Sequence, residues 1–336
     1  MLNKTTHLPA VLAAGTGPVL LVIVDTEEEF DWAKPFDRAS IGTLSIGGQP
    51  LMHEQVFDRF GIVPTYMCDY PVVTTAPSIA TLRRLMEEGR CEIGTHLHPW
   101  VSPPHQEEVT RFNSYAGNLP PELEFDKLRA ITSAIADNFG RAPTAFKAGR
   151  YGLGAGTAES IAALGYTIDA SVVPYTSFKE DDGPDFRAYD EDPYWFSAGG
   201  RSLLELPVTT GYAGWLRGFG APLFELAEQP LSRKLRAGGV LARSRALERI
   251  RLSPETSSGA EMRRLTRSLR ADGCQVFSLT YHSPSMVAGH TPYVRTADDL
   301  RRFIATVHEY CTWFRDEIGG QFMGLTQLRD SMAPVN

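Results

Sequence analysis

Residues 19–32, VLLVIVDTEEEFDW, constrain this chain more than any other stretch. An apolar, β-branched run from Val19 to Val24 predicts a short strand buried on both faces, the kind that parallel sheets use. At its C-terminal end stand Asp25, Glu27, Glu28 and Glu29, four carboxylates within five residues. Like charges this close repel, so either some take up protons or a cation sits among them. In α/β proteins the C-terminal ends of strands are where ligands bind. The cluster therefore reads either as a metal-and-base site at the mouth of a barrel or as a solvated acidic loop after a strand.

The rest of the chain repeats the strand-then-helix pattern. Strands are expected at residues 62–68, 91–97, 145–147, 167–173, 203–207 and 276–281, and a closing strand at 322–325. Between them, residues 52–60, 78–89, 125–140, 158–164 and 297–318 carry apolar positions at helical spacing, several ended by glycine. Alternation at this pitch predicts βα units and a parallel sheet or barrel. The 336 residues are read as one catalytic domain, interrupted by a helical, basic insertion at about 211–259. Between positions 232 and 270 there are eleven Lys or Arg against three Glu. Such a segment is either a solvated helical face or a surface that touches a membrane or an anionic glycan.

A net charge of −7 argues against a general nucleic-acid binder. The four cysteines, Cys68, Cys91, Cys274 and Cys311, are scattered without a CxxC pair, which fits a reducing compartment. The first residues make a poor signal peptide and no run of about 18 apolar residues exists, so the expected location is the cytoplasm.

Four further segments at or near strand ends carry ionisable side chains. His96 and His98, in EIGTHLHPW, can converge on one borderline divalent ion; the plain reading is two separately hydrogen-bonded histidines. Arg150, in FKAGRYGLG, can fork a carboxylate or form a surface salt bridge, with Lys147 the competing cation. Asp169, in DASVVPY, can orient a ligand, pair with Arg150 or cap a strand end. His282, in SLTYHSPSM, is a candidate general acid. Trp32, Trp100, Tyr115 and Tyr151 lie near these motifs, where aromatic faces either stack on a sugar or fill a core.

In this order the residues resemble the polysaccharide deacetylase superfamily, the family 4 carbohydrate esterases, and within it a bacterial branch with VDxEEEFDW, GxHxHPW and AGRxG segments. The resemblance runs from about residue 19 to 285. It implies a distorted (β/α)7 barrel and metal-dependent removal of an N-acetyl group from a sugar of a polysaccharide, oligosaccharide or lipid-linked glycan. By that resemblance Asp25 is the general base, Glu27, His96 and His98 hold the metal, Arg150 orients the base and His282 is the general acid. Trp100, Tyr151 and Asp169 are then candidates for substrate contact. The ion is expected to be zinc, with cobalt, nickel or manganese as alternatives. Three departures leave alternatives open: Asp25-Thr26-Glu27-Glu28 replaces adjacent aspartates, so Glu28 competes with Glu27. Trp100 occupies the usual second histidine position, so His105 competes with His98. The arginine motif is shifted, so Lys147 competes with Arg150. Alternative functions are a deformylase or other amidohydrolase, and a catalytically silent carbohydrate-binding barrel.

Overall fold

A computed structural model describes residues 7–228, 239, 241 and 243–334. Its core is an eleven-stranded, strongly curled sheet. The described residues form thirteen strands, of which β9 and β10 make a separate pair outside that sheet: β1 (Leu8–Leu12), β2 (Val19–Thr26), β3 (Thr65–Cys68), β4 (Glu92–Leu97), β5 (Ala145–Ala148), β6 (Ile168–Asp169), β7 (Tyr194–Ala198), β8 (Arg201–Glu205), β9 (Thr210–Ala213), β10 (Glu248–Arg251), β11 (Val276–His282), β12 (Gln321–Phe322) and β13 (Met332–Pro334). Seven of them, in the order β11-β2-β3-β4-β5-β6-β8, pair in parallel. This is the distorted (β/α)7 barrel expected from the sequence. β7, β1 and β13 extend it through antiparallel pairs.

Every residue of β2 is buried, because the strand lies inside the sheet with packed layers on both faces. Strand alternation sorts its side chains. Val19, Leu21 and Ile23 pack with Met67, Ala145, Ile168, Leu204 and Val276 inside the barrel. Leu20, Val22 and Val24 face the surrounding helices with Phe277, Leu279 and Tyr281. Helices Ala76–Glu87, Pro121–Phe139 and Thr157–Ala163 lie near the expected positions; Gly259–Ala271 is a helix that the sequence reading did not include, and Ala297–Asp316 is one that it did. The last two start with capping boxes, Ser258 with Glu261 and Thr296 with Asp299.

The edge between β8 and β11 is bridged by a short segment: the Thr209 N–H donates to Ser278 Oγ at 3.0 Å, and the Thr280 N–H to the Leu252 carbonyl at 3.1 Å. That bridge comes from the basic insertion. Its two ends form the antiparallel pair β9–β10, and the helix Gly220–Glu228 lies between them. The insertion is thus mixed, with strands where helix was expected. Arg233, Lys234 and Arg236 of its basic run lie outside the described residues. Two other expectations differ. The strand at 167–173 shortens to the pair Ile168–Asp169, and past Gln321–Phe322 the chain turns into the helix Leu325–Ser331. Among the described residues no helix is long and apolar enough to cross a membrane.

Candidate active site

The same alternation that fills the barrel aims its polar residues. Asp25 continues the inward series Val19, Leu21 and Ile23, Lys147 follows inward-facing Ala145, and His282 follows inward-facing Val276. Across the sheet His282 is the register partner of Asp25, and His96 of Lys147. Glu27 and His98 follow at the same parity one step beyond β2 and β4. The ends of β2, β4 and β11 thus place their ionisable groups in one cavity of about 340 Å³ at the C-terminal mouth of the barrel, with Lys147 of β5 behind Asp25.

Glu27, His96 and His98 converge there. Their ligand-type atoms all lie within 4.8 Å of one another. The Nε2 atoms of His96 and His98 stand 3.7 and 3.5 Å from Glu27 Oε2, beyond good hydrogen-bond length. Glu27 Oε1 is buried with no partner. His96 Nδ1 lies 3.1 Å from the Lys147 carbonyl, which can only accept, so Nδ1 carries the proton and Nε2 presents a lone pair. His98 Nδ1 lies 2.7 Å from Glu28 Oε2, which sets the same tautomer. Burial drives the His96 pKa well below the ordinary value and that of His98 down to about 4, so both rings are neutral near pH 7. Two imidazole lone pairs and an unpartnered carboxylate, all buried, are a donor set that suits a zinc-type divalent ion with open positions.

Glu28 and His105 fall elsewhere. Glu28 braces His98 while its other oxygen accepts the Trp100 indole N–H at 2.7 Å, and its backbone N–H donates to Asp69 at 2.6 Å. Glu28, Asp69 and His98 also lie close enough to count as a ligand group, yet the Glu28 oxygens and His98 Nδ1 are already hydrogen-bonded. His105 is exposed and does not line the cavity.

Asp25 is gripped by Lys147, whose Nζ lies 2.5 and 2.8 Å from its two oxygens. Burial pushes the Asp25 carboxyl up, but the charge and hydrogen bonds of Lys147, together with the charge of His282, outweigh it and hold the pKa at about 2. His282 Nε2 is 3.8 Å from Asp25, and its Nδ1 is 2.7 Å from Glu255 Oε2. Glu255 also accepts the His282 backbone N–H and the Ser285 hydroxyl. Burial pulls the His282 pKa down, but Glu255, Glu27 and Asp25 raise it well above the ordinary value, so the ring is protonated at neutral pH.

Arg150 does not reach Asp25. It bonds Asp181 and Ser114 and lies over the rings of Tyr115 and Phe36, with its Cζ 4.1 and 5.0 Å from their centroids. The reason is local: β5 ends at Ala148, and Arg150 and Tyr151 sit in a turn with φ of 53° and 59°. Such left-handed backbone at non-glycine residues is strained and concentrates at functional sites. Gly149 permits the turn's approach, since a Cβ there would strike the His98 ring. Asp169 is also absent from the cavity. Its neighbours Ile168 and Ala170 point inward, so it points outward, where Ser171 donates to it and Glu205 pairs with it. Burial raises its pKa to about 6. Trp100 and Tyr151 do line the cavity, although Trp100 is buried, stacked on His98 and engaged by Glu28.

The cavity also holds Phe30, Phe36, Phe178, Asp181, Arg251 and Tyr293, none of which the motifs indicated. Glu255 was missed as well. No local pattern marks it, since it meets His282 only through tertiary contact across 27 residues.

No family model and no curated protein matches the chain. Solved structures do. The chain superposes on a protein from Mycobacterium smegmatis assigned to the polysaccharide deacetylases, with 18% identity, a TM-score of 0.53, and coverage of 98% of this chain and 94% of that one. A Pseudomonas aeruginosa PAO1 protein assigned likewise matches with 12% identity and a TM-score of 0.51, over 93% and 90% of the two chains. Puue allantoinase matches with 13% identity and a TM-score of 0.55, over 95% and 91%. The chain has the fold of the polysaccharide deacetylase superfamily.

Proposed function

We propose that the chain is a metal-dependent hydrolase that removes an N-acyl group, an acetyl group first of all, from an amino sugar. The observation that carries this reading is the buried Glu27 carboxylate, with Oε2 facing the lone pairs of His96 and His98 and Oε1 left without a partner, next to a base and an acid in one cavity. An amide is inert, so its hydrolysis needs an activated water, a polarised carbonyl and a proton for the departing amine. A divalent ion held by Glu27, His96 and His98 would supply the Lewis acidity for the first two.

The chain's own residues supply the rest. Asp25, kept ionised by Lys147, stands ready to take the proton of the attacking water. His282, kept protonated by Glu255, stands 3.8 Å away, ready to give a proton to the leaving nitrogen. The pair is poised in opposite protonation states, as acid and base must be at one pH. Glu28 and Trp100 hold His98 in its tautomer and orientation. The aromatic lining, including Trp32 set edge-on to His282 and to Tyr293, offers faces for a sugar ring. Lys147 takes the place beside the base that the resemblance gave to Arg150.

The test is hydrolysis of a panel of N-acetyl and N-formyl amino sugars, mono- and oligomeric, by protein reconstituted with zinc or cobalt. Asp25→Asn is expected to keep the metal and lose roughly 100-fold or more in kcat. Full activity of that variant on a confirmed substrate would overturn the mechanism. Metal binding with no hydrolysis of any panel member would favour a silent carbohydrate-binding barrel.

A further inference from the structure

Besides His282, three basic side chains line the cavity, and two are already engaged by carboxylates: Lys34 by Asp31 at 3.1 Å, and Arg150 by Asp181. The third, Arg251, has no carboxylate partner among the described residues. It is half-buried, and one of its N–H groups donates to the Tyr151 hydroxyl at 3.1 Å. A guanidinium carries five N–H donors, so most of its fork remains open. The acids around it have other roles: Asp25 is paired with Lys147, Glu255 with His282, Asp181 with Arg150 and Arg111, and Glu27 belongs to the proposed metal site.

Its place is fixed by the fold. Arg251 ends β10, the return strand of the insertion, and the following residues give Leu252 to the barrel bridge and Glu255 to His282. The Tyr151 ring carries Lys147 Nζ at 5.4 Å and Arg251 Cζ at 5.2 Å from its centroid, so one ring touches both Arg251 and the cation that grips the base. Arg251 lines the same cavity as Asp25 and His282.

We propose that Arg251 is an anion subsite, and that the substrate carries a phosphate or carboxylate on the sugar that bears the acyl-amino group. This rests on the amino-sugar reading above and narrows it to acidic substrates. A partly desolvated, unpaired guanidinium binds such a group through paired, charge-assisted hydrogen bonds. The insertion then acts in substrate choice, delivering Arg251 to a barrel whose base and metal ligands come from other strands.

The test is calorimetric binding to metal-loaded protein of three compounds that cannot be turned over: glucosamine, glucosamine 1-phosphate and 2-amino-2-deoxyglucuronic acid. At least one anionic compound is expected to bind about tenfold or more tighter than glucosamine, and which one does so tells phosphate from carboxylate. Arg251→Gln is expected to erase that gain, and Arg251→Lys to retain part of it, with metal content unchanged as the check on folding. Equal affinities for all three compounds would overturn the proposal. So would a gain that survives Arg251→Gln, since the anion would then sit elsewhere, for instance on the metal. Because this is a binding measurement, it stands even if no N-acyl sugar is hydrolysed.

Discussion

Replacing Lys147 with Met tests the link between the fold and the base. Lys147 is fully buried and touches both oxygens of Asp25, itself only 4% exposed, at 2.5 and 2.8 Å. Removing one partner of a buried pair leaves an uncompensated charge, which costs about 3–5 kcal/mol. The pKa offers a second route to the magnitude. Asp25 sits at about 2, against about 3.9 for an unfolded aspartate, and a shift of that size stores about 2.6 kcal/mol. A depressed carboxyl contributes stability that is present above the unfolded pKa and lost as pH falls through the folded one, here from about 4 to about 2. Urea unfolding of metal-free protein at pH 7 should therefore show Lys147→Met destabilised by about 3 kcal/mol, a gap that narrows towards pH 3. The double variant Lys147→Met/Asp25→Asn should recover much of the loss, because neither charge is then stranded. A cost below about 1 kcal/mol, or simple additivity in the double variant, would refute the claim that the two side chains form a desolvated pair.

Glu255→Gln removes the charge that keeps His282 protonated, so the alkaline limb of the kcat–pH profile should move to lower pH. A raised histidine pKa contributes stability fully present below the unfolded value of about 6.5 and lost as pH rises through the folded one. The stability gap between parent and variant should accordingly be widest in mild acid and close at high pH; an unmoved alkaline limb would count against Glu255 as the partner of the acid. Glu28→Ala should weaken divalent-metal affinity about 10- to 100-fold without abolishing it, measured by chelator competition. Complete loss in Glu28→Ala with retention in Glu27→Ala would make Glu28 the ligand instead.

The parallel core was legible because a strand buried on both faces is rich in apolar residues: 19–24 is an unbroken apolar run, and 276–281 is interrupted only by Ser278 and Thr280. The antiparallel extension was not. β1 is LPAVL, mostly exposed and begun beside a proline, and nothing in its pattern says that it pairs with β7 and β13. Asp25, Glu27, His96, His98 and His282 could be picked out because each lies in, or one residue past, the C-terminal end of a strand that the pattern predicts. The competition between Lys147 and Arg150 turned on where β5 stops. Lys147 shares the inward parity of Ala145, whereas Arg150 falls past the strand in a left-handed turn, a boundary that four residues of sequence do not mark. Asp169 failed by the same rule: one position of parity places it behind the sheet. Glu255 and Arg251 depend on how the insertion returns to the barrel, which is tertiary information.

The account turns on Glu27, His96 and His98 forming one divalent-metal site, and metal stoichiometry by mass spectrometry measures this most directly. Protein incubated with zinc or cobalt and then desalted should carry about one ion per chain, and His96→Ala and Glu27→Ala should carry none while remaining folded. The same content in parent and variants, or no metal in the parent after loading, would contradict it.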